Sequence, residues 1–257
     1  MEKPNIFEFA LRLVKLVFAG RRVEALSWSN RYRSEFHQRD ETGEALYASL
    51  LELLADERRY HGGYDYGQGF FYQSSPSLHI HGLRDSAWRI REYELAQLVG
   101  GKDVLDVGSN SGFLACELGY HARSIVGCEN NAVLVEMANS LSRYLGLKDV
   151  QFNHSTFEDF FPDKPFDVTL ALASHETLDG MTTFYLSEFL DKVLACTSIG
   201  GSVVFESHPR SIERVNVEEV VDLVGCDFES FRVKTIGKSP NILDSNRYVI
   251  FLDGKIK

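Results

Sequence analysis

Lys102-Asp103-Val104-Leu105-Asp106-Val107-Gly108-Ser109-Asn110-Ser111-Gly112-Phe113-Leu114 is the stretch that decides the fold. Its first half has the apolar composition of a short buried strand. Gly108, Asn110 and Gly112 follow it, and these residue types tolerate a left-handed backbone better than others. The stretch therefore predicts a strand that turns directly into a helix, a geometry that brings a ligand close to the backbone.

The acidic residue before the turn limits which ligand can bind there. The dinucleotide fingerprint has the pattern G-x-G-x-x-G, but Asn110 stands at one of its glycine positions. The carboxylate of Asp106 would also repel a pyrophosphate. A Walker phosphate loop is excluded because no Gly-Lys-Ser or Gly-Lys-Thr follows. A hydroxyl-rich or cationic ligand is expected instead.

The composition is that of a soluble globular protein, with 44% hydrophobic and 25% charged residues among 257. A net charge of −10 argues against general attraction to nucleic acid or anionic membranes. We expect no transmembrane segment and no secretory leader, because Arg12 and Lys15 interrupt the apolar residues 6–18. The four cysteines form no C-x-x-C pair, which predicts reduced thiols, no metal site and a cytoplasmic location.

The N-terminal part of the chain differs from the remainder in its charge and in its residue pattern. Residues 5–26 have the apolar spacing of a helix, and the chain up to Arg39 holds eight basic and four acidic residues. Such a helix can pack on the main domain, form a homodimer, lie on a membrane or grip RNA. A second helix is predicted over 44–59. Residues 60–72 place four glycines among six aromatic residues, which suits either a lid over a cleft or a loop pinned to the core.

Strand and helix patterns alternate from residue 102 onward. The predicted strands are 104–107, 124–128, 151–154, 166–173, 202–206, 230–236 and 247–252. The predicted helices of this part are 113–120, 132–145, 184–196 and 215–224, and one more covers 86–99. This alternation predicts an α/β fold: a doubly wound, mostly parallel sheet that binds its ligand beyond the carboxyl ends of the strands.

Residues 104–112, Val-Leu-Asp-Val-Gly-Ser-Asn-Ser-Gly, resemble the first motif of the class I S-adenosylmethionine-dependent methyltransferases, D-x-G-x-G-x-G. In that family the acid, here Asp106, lies near the amino-acid part of the cofactor. The glycine loop passes under the sugar of the cofactor. The resemblance therefore implies that this part of the site consists of Gly108, Ser109, Asn110 and Gly112.

The resemblance covers about residues 98–252. It implies a Rossmann-like seven-stranded sheet whose last two strands form an antiparallel hairpin. We therefore predict an S-adenosyl-L-methionine-binding methyltransferase domain over 99–257. Residues 1–98 are predicted to form an N-terminal cap made of helices and the aromatic loop.

Further cofactor contacts are predicted at the ends of the next strands. Glu129 ends the second strand, seventeen positions after Gly112, and its carboxylate can accept hydrogen bonds from both ribose hydroxyls. The resemblance also implies that Glu158 accepts the adenine amino group and that Phe157 lines the base. The structural alternative there is a helix capped by Thr156, with Glu158 and Asp159 in its first turn, and both interpretations can hold together. The remaining predicted cofactor contacts are Asn130, Ala173 and Arg84, whose guanidinium can bind an anionic group.

Methyl transfer is a displacement in line with an already activated carbon, so the protein has to align the acceptor and remove its proton. His175, after the fourth strand, is the predicted base because imidazole ordinarily titrates near neutral pH. Glu206 and His208, after the fifth strand, are the reserve candidates. Any of these residues could instead brace a loop.

The acceptor is predicted to be a small molecule or a hydroxyl of a sugar in a glycan, in keeping with the acidic net charge. The run H-G-L-R-x-x-x-x-R over 81–89 also resembles a subgroup that includes tRNA carboxymethyl-transferring enzymes and glycan methyltransferases. A tRNA-modifying methyl- or carboxymethyl-transferase is therefore one alternative. A non-catalytic cofactor-binding partner protein is the other.

Overall fold

The structure is a computed structural model that describes residues 22–60, 69–175, 182–207, 217–237 and 247–256. Most of the predicted helix 5–26, most of the aromatic loop and His208 lie outside these residues. The strands are β1 Asp103–Val107, β2 Ser124–Glu129, β3 Val150–His154, β4 Phe166–Leu172, β5 Thr197–Glu206, β6 Phe228–Ile236 and β7 Arg247–Lys255. The helices are α1 Arg22–Phe36, α2 Glu41–Tyr60, α3 Ser86–Glu92, α4 Leu95–Leu98, α5 Phe113–Leu118, α6 Ala132–Tyr144, α7 Leu186–Cys196 and α8 Val217–Val224.

The strands form one seven-stranded sheet in the order β3-β2-β1-β4-β5-β7-β6. The first five strands in this order, β3, β2, β1, β4 and β5, are parallel to one another, whereas β7 runs antiparallel to both β5 and β6. The predicted doubly wound, mostly parallel sheet with a closing antiparallel hairpin is confirmed. Because β1 lies between β2 and β4, the strand order reverses at β1, and ligands of such sheets bind at this point.

Apolar side chains cover both faces of the sheet. One buried cluster joins the sheet to α2, α5 and α6, and includes Tyr47, Phe113 and Met137. The other joins it to α7 and α8, and includes Phe189 and Val220. The helices therefore lie on both faces, as the alternation of strands and helices predicts.

Three elements differ from the sequence predictions by a break or by more than three residues. The predicted helix 86–99 is divided, because Glu94 adopts a left-handed backbone (φ 56°) between α3 and α4. The helical structure near the N-terminus extends past residue 26 to Phe36. Within α1, Ser34 Oγ donates to the carbonyl of Asn30 (2.8 Å), which lets a polar residue be buried inside the helix. Strand β5 begins five residues before the predicted strand, directly after α7.

Residues 71–75 and 80–84 lie side by side in front of the sheet. The N–H of Leu83 donates to the carbonyl of Phe71 (3.0 Å), and the N–H of Ser74 donates to that of Arg84 (2.9 Å). The Nδ2 atom of Asn30 donates to the carbonyl of Gly82 (2.6 Å) and so joins α1 to this pair of segments. The division of the chain at residue 98 stays a prediction.

Two further sequence expectations concern side-chain burial and membranes. Of the four free cysteines, Cys226 is exposed and the other three are buried. In the parts of the chain that the structure describes, no helix combines the length and apolar character needed to cross a membrane.

A methyl group at Gly82 should separate the two paired segments. A Cβ there would lie 2.2 Å from the backbone of Gln73, much closer than atoms can approach. Gly82→Ala should therefore lower the free energy of unfolding by roughly 1–3 kcal/mol, measured by chemical denaturation. Gly237→Ala is the matched control, because a Cβ at Gly237 meets no atom of the described residues within 4 Å. Equal stability of the two variants would show that the close approach at Gly82 is unimportant.

Candidate functional site

The candidate site lies at the carboxyl ends of β1, β2 and β4, where the chain leaves β1 in a tight turn. Gly108, Asn110 and Gly112 all have a left-handed backbone, with φ of 70°, 54° and 68°. A Cβ at Gly112 would lie 2.4 Å from the Cβ of Ala138, so the turn also packs closely on α6. Asn110 thus adopts the conformation that its place in the motif predicts.

The carboxylate of Glu129 binds the turn from the end of β2. Its Oε2 accepts the N–H of Asn110 (2.8 Å), and its Oε1 accepts the N–H of Asn131 at the start of α6 (3.0 Å). Glu129 is only 2% exposed. Each carboxylate oxygen can accept a second hydrogen bond, so the group can hold the turn and still bind hydroxyls. The neighbouring carbonyl of Asn130 pairs with Nε2 of His154 (3.0 Å).

Asp106, the last acid of β1, lies buried beside the turn. Burial raises the pKa of this carboxyl to about 7, and the nearby charge of Arg89 opposes that rise. Its Oδ2 has no hydrogen-bond partner among the described residues, and the same holds for the buried hydroxyls of Ser109, Ser111 and Ser174. Four such atoms at the ends of two adjacent strands indicate the position of a polar ligand.

A residue that the sequence analysis missed, Gln73, also holds the turn. Its Nε2 donates to the carbonyl of Ser109 (3.1 Å). Its Oε1 accepts the N–H groups of Phe113 (2.9 Å) and Leu114 (3.2 Å) at the start of α5. No motif surrounds this glutamine, and the contact joins positions thirty-six or more residues apart, so no local pattern could have revealed it.

Glu206, at the end of β5, is surrounded by three arginines. Its Oε1 lies 2.7 Å from Nη2 of Arg84 and 3.3 Å from Nη1 of Arg247, and its Oε2 pairs with Nη2 of Arg89. Burial alone would raise the pKa of Glu206, but the three guanidinium charges hold it well below its usual range. Such a carboxylate is a poor proton acceptor at neutral pH, so the structure argues against its reserve role as a base.

Arg84 lies within this cluster of charges. It is 1% exposed, and its Nη1 also reaches the hydroxyl of Tyr72 (3.4 Å). The next strand end is close by, because the N–H of Ala173 donates to the carbonyl of Glu206 (3.0 Å). Ala173 has a left-handed backbone (φ 57°), which is costly for a residue with a Cβ and is often found at functional sites.

His175 follows this strained position and packs into an aromatic cluster. Its ring lies 5.2 Å from that of Phe189 on α7, and Phe157 lies 5.2 Å from the same ring. His175 is 2% exposed, and Phe157 is completely buried. Phe157 therefore packs in the core, and its expected contact with the base of the cofactor stays a prediction. Core packing and pocket lining favour the same residue type, so the sequence does not separate the two roles.

Glu158 has neighbours that the sequence analysis did not predict. Its Oε1 accepts the hydroxyl of Thr182 (2.9 Å) and both the N–H and the hydroxyl of Thr183, which ties the end of β3 to the start of α7. Thr156 acts as a cap, because its Oγ1 accepts the N–H of Asp159 (3.3 Å), but residues 157–159 form a turn and not the helix of the alternative prediction. The proposed contact of Glu158 with adenine stays a prediction.

Comparisons with known proteins bear on what this site binds. Residues 98–236 match the family model described as a methyltransferase domain. The uncharacterized methyltransferase YcgJ of Bacillus subtilis (strain 168) is 32% identical over 78 residues, which is 30% of this chain and 31% of YcgJ. The aligned part thus spans about a third of that curated relative.

Solved structures show the same fold. The crystal structure of YcgJ matches with a TM-score of 0.50 at 13% identity, and covers 65% of this chain and 97% of its own. The N-methyltransferase NodS of Bradyrhizobium japonicum WM9, in complex with S-adenosyl-L-homocysteine, matches with a TM-score of 0.51 at 16% identity, over 81% and 98% of the two chains. An rRNA methylase from Streptococcus thermophilus matches with a TM-score of 0.50 at 12% identity, over 65% and 95%.

The raised pKa of Asp106 has a consequence for stability. The folded chain binds this proton up to about pH 7, whereas the ordinary pKa is 3.8. Between these values the folded state binds more protons than the unfolded state, so stability falls as the pH rises. Without added cofactor, Asp106→Asn should therefore unfold at a higher temperature than the wild type at about pH 8, and the difference should vanish near about pH 4.

Asp103, at the other end of β1, is the matched control. Hydrogen bonds from Arg123, Ser124 and Lys164 hold the pKa of its carboxyl below the usual range, so its stabilisation is lost in acid. Asp103→Asn should therefore lower the unfolding temperature at about pH 8. If Asp106→Asn also lowers it there, the account of a buried, weakly paired carboxyl fails.

Proposed function

The chain belongs to the class I S-adenosylmethionine-dependent methyltransferases, whose methyltransferase-domain model its residues 98–236 match, and we propose that it methylates a hydroxyl of a small molecule or of a sugar in a glycan. The observation that carries this proposal is the group of buried polar atoms at the ends of β1, β2 and β4. Asp106, Ser109, Ser111 and Ser174 each have a buried oxygen without a partner among the described residues, and Glu129 adds two acceptor oxygens.

These residues fit the chemistry of the cofactor, whose sulfonium supplies an already activated methyl group when it is bound. The Glu129 carboxylate has the acceptor capacity for the two ribose hydroxyls. The turn over Gly108, Ser109, Asn110 and Gly112 offers a surface of small residues against which a sugar can lie. The contacts of Asn130 and Ala173 with the cofactor remain part of the same proposal.

The amino-acid half of the cofactor carries an ammonium group and a carboxylate, and the site presents both opposite charges. Arg89 is close enough to Asp106 to lower the pKa of that carboxyl, and Arg84 shares Glu206 with Arg89. We infer that Asp106 receives the ammonium group and that Arg84, within the arginine cluster, attracts the carboxylate. A bound ammonium group would also favour the charged form of Asp106.

The acceptor side of the site is the exit of β4. Alignment of the acceptor oxygen and removal of its proton are the tasks left to the protein. We propose His175 as the base, since its burial at the strand end keeps bulk water away from the proton transfer. Glu206 is unsuitable as the base because its carboxylate is paired with arginines. It holds Arg84 and Arg89 in place instead.

The net charge of −10 favours a small acceptor over a nucleic acid. Transfer of labelled methyl groups from S-adenosylmethionine into tRNA, glycan and small-molecule fractions tests this. Label in the glycan or small-molecule fraction supports the proposal. Label in tRNA would contradict the proposed acceptor and support a tRNA-modifying function. Cofactor binding with no transfer into any fraction would favour the non-catalytic partner protein. A cytoplasmic location, a homodimer and RNA contact by the basic N-terminal helix stay predictions.

The ribose contact can be separated from the amino-acid contact with two ligands. S-adenosylhomocysteine and 5′-methylthioadenosine both carry the ribose, but the second lacks the amino acid. Glu129→Gln should weaken both ligands by about 1.5–3 kcal/mol in calorimetry. Asp106→Asn should weaken S-adenosylhomocysteine alone.

The exposed Glu136→Gln, on α6, is the control and should bind both ligands like the wild type. Unchanged affinity of Glu129→Gln for 5′-methylthioadenosine would show that Glu129 does not bind the ribose.

The role of His175 is tested once an acceptor is identified. His175→Gln should lower turnover by about 10²–10⁴-fold, the usual contribution of a general base, while the affinity for S-adenosylhomocysteine changes little. The exposed His121→Gln is the control and should keep its turnover. Wild-type turnover in His175→Gln would show that another group removes the proton.

A further inference from the structure

We propose that Gln73 is a positioning residue, which fixes the turn between β1 and α5 in the conformation that accepts the cofactor. This inference rests on the proposed function, because it assumes that the turn borders the cofactor. Gln73 lies outside every motif that identified the family, and it precedes the turn by more than thirty residues.

The start of α5 needs an acceptor that its own turn does not supply. The first N–H groups of any helix have no partner within that helix, and a side chain at the N-cap normally accepts one of them. The N-cap of α5 is Gly112, which has no side chain. The Oε1 atom of Gln73 accepts the N–H groups of Phe113 and Leu114 instead.

The other end of the same amide holds the beginning of the turn. Its Nε2 donates to the carbonyl of Ser109, so one buried side chain bridges both ends of residues 109–113. Asn110 and Gly112 between these ends have left-handed backbones. Without Gln73, the turn would keep the bond from the N–H of Gly112 to the carbonyl of Ser109 (3.0 Å) and the bond from Asn110 to Glu129, but it would lose its attachment to residues 71–75.

The backbone at Gln73 is itself held in place by the pairing of residues 71–75 with residues 80–84. The N–H of Arg84 donates to the carbonyl of Tyr72, and the N–H of Ser74 donates to the carbonyl of Arg84. The guanidinium of Arg84 in turn pairs with Glu206 at the end of β5. Residues before the methyltransferase motif thus help to shape the cofactor turn itself.

The test compares two variants of Gln73 with one matched control. Gln73→Met has a similar size and removes all three hydrogen bonds. Gln73→Glu keeps the acceptor for Phe113 and Leu114 but loses the donor to Ser109. The control is Thr197→Val, which keeps the shape of the side chain but removes a buried hydroxyl that donates to the carbonyl of Val193 (2.7 Å), at the opposite end of the sheet from the turn.

Calorimetry with S-adenosylhomocysteine and thermal unfolding measure the outcome. We expect Gln73→Met to bind this ligand about 10- to 100-fold more weakly, with Gln73→Glu between it and the wild type. Thr197→Val should keep the wild-type affinity even though it also unfolds at a lower temperature. Amide hydrogen exchange at Phe113 and Leu114 should be faster in Gln73→Met than in the control.

Two results would overturn the positioning role. One is wild-type affinity in Gln73→Met, and the other is a loss of affinity in Thr197→Val equal to that in Gln73→Met at a similar loss of stability. If the wild type itself binds no S-adenosylhomocysteine, the proposed function fails and the positioning role fails with it. If the wild type binds and Gln73→Met binds equally well, the inference about Gln73 alone fails.

Discussion

The site depends on the hydrogen bonds that the buried carboxylate of Glu129 accepts from the backbone of Asn110 and Asn131. These bonds attach the turn after β1 to the start of α6. A buried carboxylate is stable only when it is well bonded, so the geometry of the turn and the ionisation of Glu129 depend on each other.

Three carboxylates end three strands of the same sheet, and their surroundings differ. Glu129 is bound by backbone N–H groups, Glu206 by three arginines, and Asp106 keeps an oxygen without a partner among the described residues. Burial therefore raises the pKa of Asp106, whereas arginine charges lower that of Glu206. The neighbours of each carboxylate thus set its pKa, although the chemical group is the same.

Local patterns in the sequence were sufficient for the sheet and the turn, because strand alternation and glycine spacing are properties of neighbouring residues. Strands β1 to β4 and the conformation of Asn110 could be predicted in this way. The contacts of Gln73 and Glu206 join residues far apart in sequence, so no local pattern contains them. Phe157 packs against Phe189, a core contact that residue type alone does not distinguish from a contact with the cofactor. The break at Glu94 reflects tertiary packing that overrides a continuous helical pattern.

A crystal structure of this chain grown with S-adenosylhomocysteine tests the central claim most directly. The account predicts that both ribose hydroxyls lie within hydrogen-bonding distance, about 2.5–3.0 Å, of the Glu129 carboxylate, with the amino-acid half beside Asp106. Ligand density at another edge of the sheet, or a ribose turned away from Glu129, would contradict it.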